Sequence, residues 1–348
     1  MKELWAAAVA AGLGLSAHTA AAAAASGCQY IRVTELPLKF EGNQPFVQVS
    51  INGRPAWFVI DTGSVTSVLF GGATRAFGLK EMTADGVTFY GVGGNQEGKY
   101  AIVARFGIGE VTGKDIRFYS IGHEGAPDRA GVLGREFIDQ LGDPEFDLAA
   151  GALRIWKAQG CPADASLAYW TKTPRLARLE HYDFQAPYTV KLKVNGWPVD
   201  AQLDSGAYSS TIVPAIAAIA AIVGVRKEQF DNEVKKIGGV GDYGVESRIA
   251  TFDTVDIGDE QIKHARLRVA DMFARNVAPV TGSILPQRVI MADEPKMLLG
   301  GDFLRAHRVL IATSQHLLYF SYNGGPIFQI VGDPVKPKDE ATAAPPPK

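Results

Sequence analysis

The sequence predicts an all-β chain folded as two related lobes with short helices, and three observations carry that expectation. A short pattern occurs twice, 143 residues apart: Ile51-Asn52-Gly53 runs through apolar residues into Asp61-Thr62-Gly63-Ser64, and Val194-Asn195-Gly196 into Asp204-Ser205-Gly206-Ala207. In both copies the Asn-Gly precedes the Asp by nine residues, and Pro55 and Pro198 hold matching places. The segments before each Asn-Gly, Phe46 to Ile51 and Tyr188 to Val194, alternate with the period of two of half-buried strands. Two copies at one internal spacing indicate a duplicated unit that presents one carboxylate per copy.

The ends of the chain differ from its middle. Lys2 is followed by an almost uncharged, alanine-rich stretch, so residues 1–25 are expected to be a secretory signal peptide, with a membrane-anchoring helix as the competing reading. Alanine drives membrane insertion weakly, and no later apolar run is long enough to span a bilayer. The longest, Pro214 to Val225, fits a buried helix. Residues 331–348, rich in Pro, Ala and charge, read as a disordered tail. A chain of 348 residues with 47% hydrophobic and 21% charged content suffices for two cores, expected at 29–160 and 181–330 with a linker at 161–180. A net charge of −2 gives no reason to expect nucleic acid as a partner.

The chain has two cysteines, Cys28 just after the leader and Cys161 just after the first repeat. In an exported chain this pair suits a disulfide closing a loop around the first lobe. Ala25-Ser26-Gly27-Cys28 also resembles a lipobox with Ala in place of the usual Leu, and two free thiols are the third alternative.

Each repeat then runs through the same events. The Asn-Gly suits a tight hairpin, and the next strand, Ala56 to Ile60 or Val199 to Leu203, delivers the Asp at its end. About thirty residues on comes a glycine-rich tip, Gly91-Val92-Gly93-Gly94 preceded by Tyr90, and Gly238-Gly239-Val240-Gly241. Strand-like runs follow these tips, not helices, which argues against a phosphate-binding loop and for hairpin tips that serve as mobile flaps or as passive turns. Tyr90 either lines a pocket or packs. Each repeat closes with an apolar pair before glycine and a short helical segment, Val132-Leu133-Gly134 and Leu298-Leu299-Gly300, then a strand pair. The second repeat is 23 residues longer between Asp and this glycine, mostly within Ala265 to Lys296, which makes that stretch a candidate for shaping substrate selection or an inert surface loop.

This order of strand, Asp-Thr-Gly or Asp-Ser-Gly, hairpin and apolar-apolar-Gly resembles the aspartic proteases, and more narrowly the bacterial retropepsin-like proteins that carry two lobes in one chain. The resemblance covers residues 40–325. It implies a pepsin-like pair of β lobes with Asp61 and Asp204 facing each other, an aspartic endopeptidase activity, and hydroxyl hydrogen bonds from Thr62 and Ser205 that lock the two loops together. Gly63 and Gly206 would let the backbone turn tightly. Two close carboxyls hold one proton between them, so the charged member deprotonates a water while the protonated one donates to a carbonyl oxygen. A hydroxyl on Ser64 could hydrogen-bond the ionised Asp61, whereas Ala207 offers none to Asp204.

The expected substrate is an extended polypeptide under the flaps, hydrolysed by a monomer with no cofactor and no metal, in the bacterial periplasm. Six histidines form no closely spaced ligand cluster, no G-x-S-x-G elbow occurs, and His307 reads as structural. The competing functional readings are a non-catalytic peptide-binding scaffold on the same fold, and a lobe that pairs with its twin in another chain.

Overall fold

The computed structural model describes residues 27–180, 187–224, 234–241, 243–278, 287–289 and 294–328. The signal peptide read at 1–25 and the tail read at 331–348 lie outside these, as does part of the extra stretch of the second repeat.

The first half contains β1 (Gln29–Glu41), β2 (Gln44–Ile51), β3 (Arg54–Ile60), β4 (Val68–Phe70), α1 (Gly71–Ala76), β5 (Met82–Gly91), β6 (Gly94–Ile108), β7 (Val111–Ile121), β8 (Gly131–Leu133), α2 (Arg135–Leu141), β9 (Asp143–Asp147) and β10 (Ala152–Gln159). The second contains β11 (Arg175–Glu180), β12 (Thr189–Val194), β13 (Trp197–Leu203), β14 (Thr211–Ile212), α3 (Pro214–Gly224), β15 (Lys235–Ile237), β16 (Val245–Ile257), β17 (Glu260–Ala270), β18 (Val277–Ala278), β19 (Gln287–Arg288), β20 (Met297–Leu299), α4 (Gly301–Ala306), β21 (His307–Ala312) and β22 (Leu317–Tyr322). Strands dominate, and the helices are short.

The same pairings recur in both halves. In the first, β2 pairs β3, β3 runs parallel to β8, β8 pairs β4, β4 runs parallel to β7, and β6 closes the circuit by pairing β7 and β2. In the second, β12, β13, β20, β14, β17 and β16 repeat that circuit pair by pair. The turns that start each circuit explain the repeated Asn-Gly. Asn52 and Gly53 have φ of 52° and 84°, and Asn195 and Gly196 have 48° and 78°, the two consecutive left-handed residues that a two-residue hairpin requires. Alternation then sends Val47, Val49, Phe58 and Ile60 into the core of one half, and Val190, Leu192, Val199 and Leu203 into the other.

The halves join through a sheet that the repeat did not announce. Its strand order is β1, β10, β9, β21, β22, β11, all antiparallel, with three strands from each half and the seam at Val309 opposite Phe146. β11 lies within the segment read as a linker at 161–180. It is a sheet strand because Arg175 to Arg178 pair with β22 before Leu179 and Glu180 pass to β12. At the seam the buried carboxylate of Glu145 accepts from Arg154 (2.9 Å), Arg308 (2.7 Å) and the Trp156 indole (2.7 Å). A charge taken out of water this completely survives only when its oxygens are so paired.

One expectation needs refinement. α3 is not fully buried: Ala217 and Ala220 are covered while Pro214, Ala215 and Ala218 are exposed, because it lies on one side of β13, β16 and β17. His307 is wholly buried, its Nδ1 2.8 Å from Phe303 O and its Nε2 3.2 Å from Glu260, as a structural histidine is. Cys28 and Cys161 are joined in a disulfide, which resolves the alternatives left open for them. The bridge ties the start of β1 to the end of β10 and, joining residues 133 positions apart, is worth about 5 kcal/mol in the chain-entropy account. Among the described residues, no helix is long and apolar enough to cross a membrane.

Candidate active site

Asp61 and Asp204 leave their strands at equivalent points. β3 is held in parallel register with β8 up to Ile60 opposite Leu133, and the Asp61 N–H donates to Leu133 O at 3.0 Å. In the second half Leu203 lies opposite Leu299, and the Asp204 N–H donates to Leu299 O at 2.9 Å. The apolar-apolar-Gly motifs are therefore the rails that fix where each carboxylate emerges. Past each Asp the chain is caught again: Arg135 N donates to Ser64 O (2.9 Å) and Gly301 N to Ala207 O (2.8 Å).

The two carboxyls are brought together and hydrogen-bond each other. Between them runs a reciprocal lock of buried hydroxyls. Thr62 Oγ1 donates to Leu203 O (2.7 Å) and accepts from Ser205 N (3.0 Å), while Ser205 Oγ donates to Ile60 O (2.7 Å) and accepts from Thr62 N (3.0 Å). Each hydroxyl thus satisfies a carbonyl and an amide of the opposite half, and both residues are 0% exposed. Truncating either would leave such groups orphaned in the interior, at about 1–3 kcal/mol for each.

Gly63 and Gly206 do not serve as left-handed turn residues; neither has positive φ. Their absent side chains make room. A Cβ on Gly63 would lie 2.7 Å from Asp204 Oδ1, and one on Gly206 would lie 2.6 Å from Asp61 Oδ1. Each glycine is the floor on which the opposite carboxylate rests. Ser64 also differs from expectation: its hydroxyl donates to Thr66 O (2.8 Å), satisfying its own loop, and only its N–H reaches Asp61. Asp61 Oδ1 accepts from Gly63 N (2.8 Å) and Ser64 N (3.1 Å), and Asp204 Oδ1 accepts from Ala207 N (2.9 Å).

Burial pushes the pKa of both carboxyls up. For Asp61 that is partly offset by the hydrogen bond from Asp204 and by backbone donors, which favour its charged form. Asp204 is pushed well above the usual range, first by burial and then by the negative charge of Asp61 beside it. Asp204 is thus raised further than Asp61, because the charge beside it adds to its burial.

Sequence reasoning missed a second pair of acids. Asp302 accepts from Ser210 N (2.8 Å) and Ser210 Oγ (2.7 Å), and Ser210 Oγ accepts from Gly300 N (2.9 Å). In the first half Glu136 accepts from Ser67 N (2.6 Å), and Ser67 Oγ accepts from Gly134 N (2.9 Å). Burial raises Glu136 and pushes Asp302 up to about 6. The signal was in the repeat: a serine six residues after each Asp and an acid two residues after each closing glycine. Two amides are also at the site without any such signal. Gln202 Nε2 donates to Gly63 O (2.9 Å), and Gln44 Nε2 donates to Gly206 O while its Oε1 accepts from Arg129 (2.9 Å).

Tyr90, Gly91, Gly93 and Gly94 form the end of the β5–β6 hairpin, with Tyr90 opposite Asn95 and Val92-Gly93 as the loop. Gly238, Gly239 and Gly241 lie between β15 and β16, which pair as a hairpin. The two ends touch: Gly241 N donates to Val92 O (3.1 Å) and Tyr243 N to Gly93 O (3.3 Å). Among the described residues, no cluster of His, Cys, Asp and Glu is arranged to hold a metal. A groove of about 690 Å³ on the outer face of the first half, lined by Val49, Pro55, Arg105 and Phe106 among others, contains neither carboxylate.

No curated protein matches the sequence. Residues 47–137, which run from β2 through Asp61 to the closing glycine and α2, match the family model described as aspartyl protease.

Proposed function

We propose that this chain is an aspartic endopeptidase in which Asp61 and Asp204 form the catalytic dyad, each supplied by one of two lobes related by a pseudo-twofold axis. The observation that carries the reading is the pair itself: two mutually hydrogen-bonded carboxyls in a desolvated site, one favoured as the anion and the other as the acid. The ionised Asp61 takes a proton from a water held between the carboxyls, and that water attacks the peptide carbonyl carbon. Asp204 gives its proton to the carbonyl oxygen. Collapse of the tetrahedral intermediate breaks the C–N bond as Asp61 passes the proton it gained to the leaving amine and a hydroxyl of the intermediate returns one to Asp204, which restores the dyad. The backbone donors to both carboxyls are fixed before reaction, so little reorganisation accompanies the charge movement.

The substrate is an extended polypeptide, admitted beneath the hairpin tips, and a single chain is sufficient because both carboxylates belong to it. The disulfide fits an exported protein, with the periplasm as the compartment. A scaffold that merely bound peptides would have no use for two desolvated acids. The reading is tested by incubating the mature chain with an unfolded protein and identifying the fragments by mass spectrometry. Cleavage is expected to rise and fall with pH, lost on the acid side as Asp61 gains a proton and on the alkaline side as Asp204 loses one. Cleavage that persists in a variant lacking both carboxylates would refute it.

A further inference from the structure

The first hairpin tip is held by more than the second hairpin. Beyond β17 the chain runs through Asp271–Val277, the beginning of the extra stretch by which the second repeat exceeds the first, and this segment grips the tip from the other side. Gly93 N donates to Met272 O at 3.2 Å. The carboxamide of Asn276, with its nitrogen turned toward the hairpin, donates to both Gly91 O (3.0 Å) and Gly94 O (2.9 Å), the paired residues that flank the loop. Val277 N donates to Asn95 Oδ1 at 3.2 Å. Asn276 is 0% exposed, so its amide is spent entirely within the protein. Val92 at the apex packs with Val245, Met272, Phe273 and Leu298, in the same apolar cluster as Ala207, whose N–H donates to Asp204.

These contacts are one-sided. Asn276 and Met272 belong to the second half and both act on the first hairpin. The segment is itself braced: Val289 N donates to Asn276 O (2.8 Å), and Arg288, opposite Val277 in the β18–β19 pair, bonds Glu294 at 3.2 Å. The hairpin tip is thus tied to an anchored segment through three backbone groups, Gly91 O, Gly93 N and Gly94 O, and one side chain, Asn95.

We propose that Asp271–Val277 is a latch that holds the first hairpin closed beside Asp204, and that Asn276 is its positioning residue, so that a polypeptide enters only when the Asn276 contacts break. The functional half of this statement rests on the endopeptidase reading; the mechanical half does not. A protein whose competent state is a minor population binds with its affinity reduced by that fraction, so loosening the catch raises apparent affinity without touching the chemistry.

The test compares the full mature chain with Asn276→Asp and Asn95→Ala. Asn276→Asp keeps the shape but sets an oxygen against two carbonyls. Asn95→Ala removes the acceptor for Val277 N from the partly exposed hairpin side, which guards against a folding defect from the buried change. Hydrogen exchange followed by mass spectrometry is expected to show amides in 89–96 exchanging about tenfold faster in both variants, with β3, β8, β13 and β20 unchanged. Steady-state cleavage of an unfolded protein is expected to show KM lowered about threefold with kcat nearly constant. Unchanged exchange at 89–96 in both variants, or faster exchange throughout the chain, would overturn the latch. A local rise in exchange without any cleavage by the wild-type chain would leave the latch standing and sink the endopeptidase reading.

Discussion

At the scale of single residues the site is governed by what is absent as much as by what is present. Gly206 is where Asp61 rests, so Gly206→Ala would drive a methyl group into the carboxylate; kcat/KM is expected to fall at least about a hundredfold while the thermal transition survives, since an ångström of misplacement suffices for that loss. Ser64→Ala is expected to leave the acidic limb of the kcat/KM profile in place, because the hydroxyl is committed to Thr66 O; a displaced limb would show that it reaches the dyad after all. Asp302 gives a prediction in pH. Burial raises its folded pKa to about 6 from the usual 3.8, so the folded state binds its proton more tightly than the unfolded state does. Its contribution to stability is complete below about pH 4 and is lost as the pH rises through 6, about 3 kcal/mol in all. Asp302→Asn keeps an acceptor for Ser210 but cannot ionise. Its stability, followed by urea unfolding from pH 4 to 7, is expected to decline less than that of the wild type, and a parallel decline would contradict the assignment. Asp61 and Asp204 were legible because the repeat marked them, and the Thr62 and Ser205 hydroxyls through the resemblance that the repeated motifs carry. Gln44 and Gln202 were not, because they occupy unmatched positions and meet their carbonyls only through tertiary packing.

Among elements, the legible ones were those whose stability is local. The Asn-Gly hairpins, the strands that deliver each Asp, and the short helices after Gly134 and Gly300 are all written in turn chemistry and alternation. The strand pairs that close each repeat were legible too, but their union in one sheet was not, since it is set by pairings such as Val309 with Phe146, more than 160 positions apart, and no periodicity encodes a partner at that distance. β11 was read as linker for the same reason: its six residues are too short to announce a strand without knowing that β22 and β12 await them. The disulfide acts at this scale too. It pins β1, which pairs β10 over its first part and β2 over its last, so it braces one strand shared by two sheets. Replacing both cysteines by serine is expected to lower unfolding free energy by about 4–5 kcal/mol, measured by urea, with a larger m-value because the unlinked unfolded chain exposes more surface. A loss below about 1 kcal/mol would mean that β1 is fixed by its pairing alone.

For the whole molecule, the duplicated circuits, the six-stranded seam and the Thr62–Ser205 lock bring the two carboxylates together within one chain. Sedimentation is accordingly expected to give a monomer with cleavage rate proportional to protein concentration; activity that rises with its square would assign the site to a dimer. The central claim is that Asp61 and Asp204 act as one dyad, and the most direct measurement is cleavage of an unfolded protein by the wild type, Asp61→Asn and Asp204→Asn, with folding verified for each. The account predicts that either single substitution removes activity by several orders of magnitude, because the amide can neither accept the water's proton nor donate to the carbonyl oxygen. Near-normal turnover in either folded variant would contradict it.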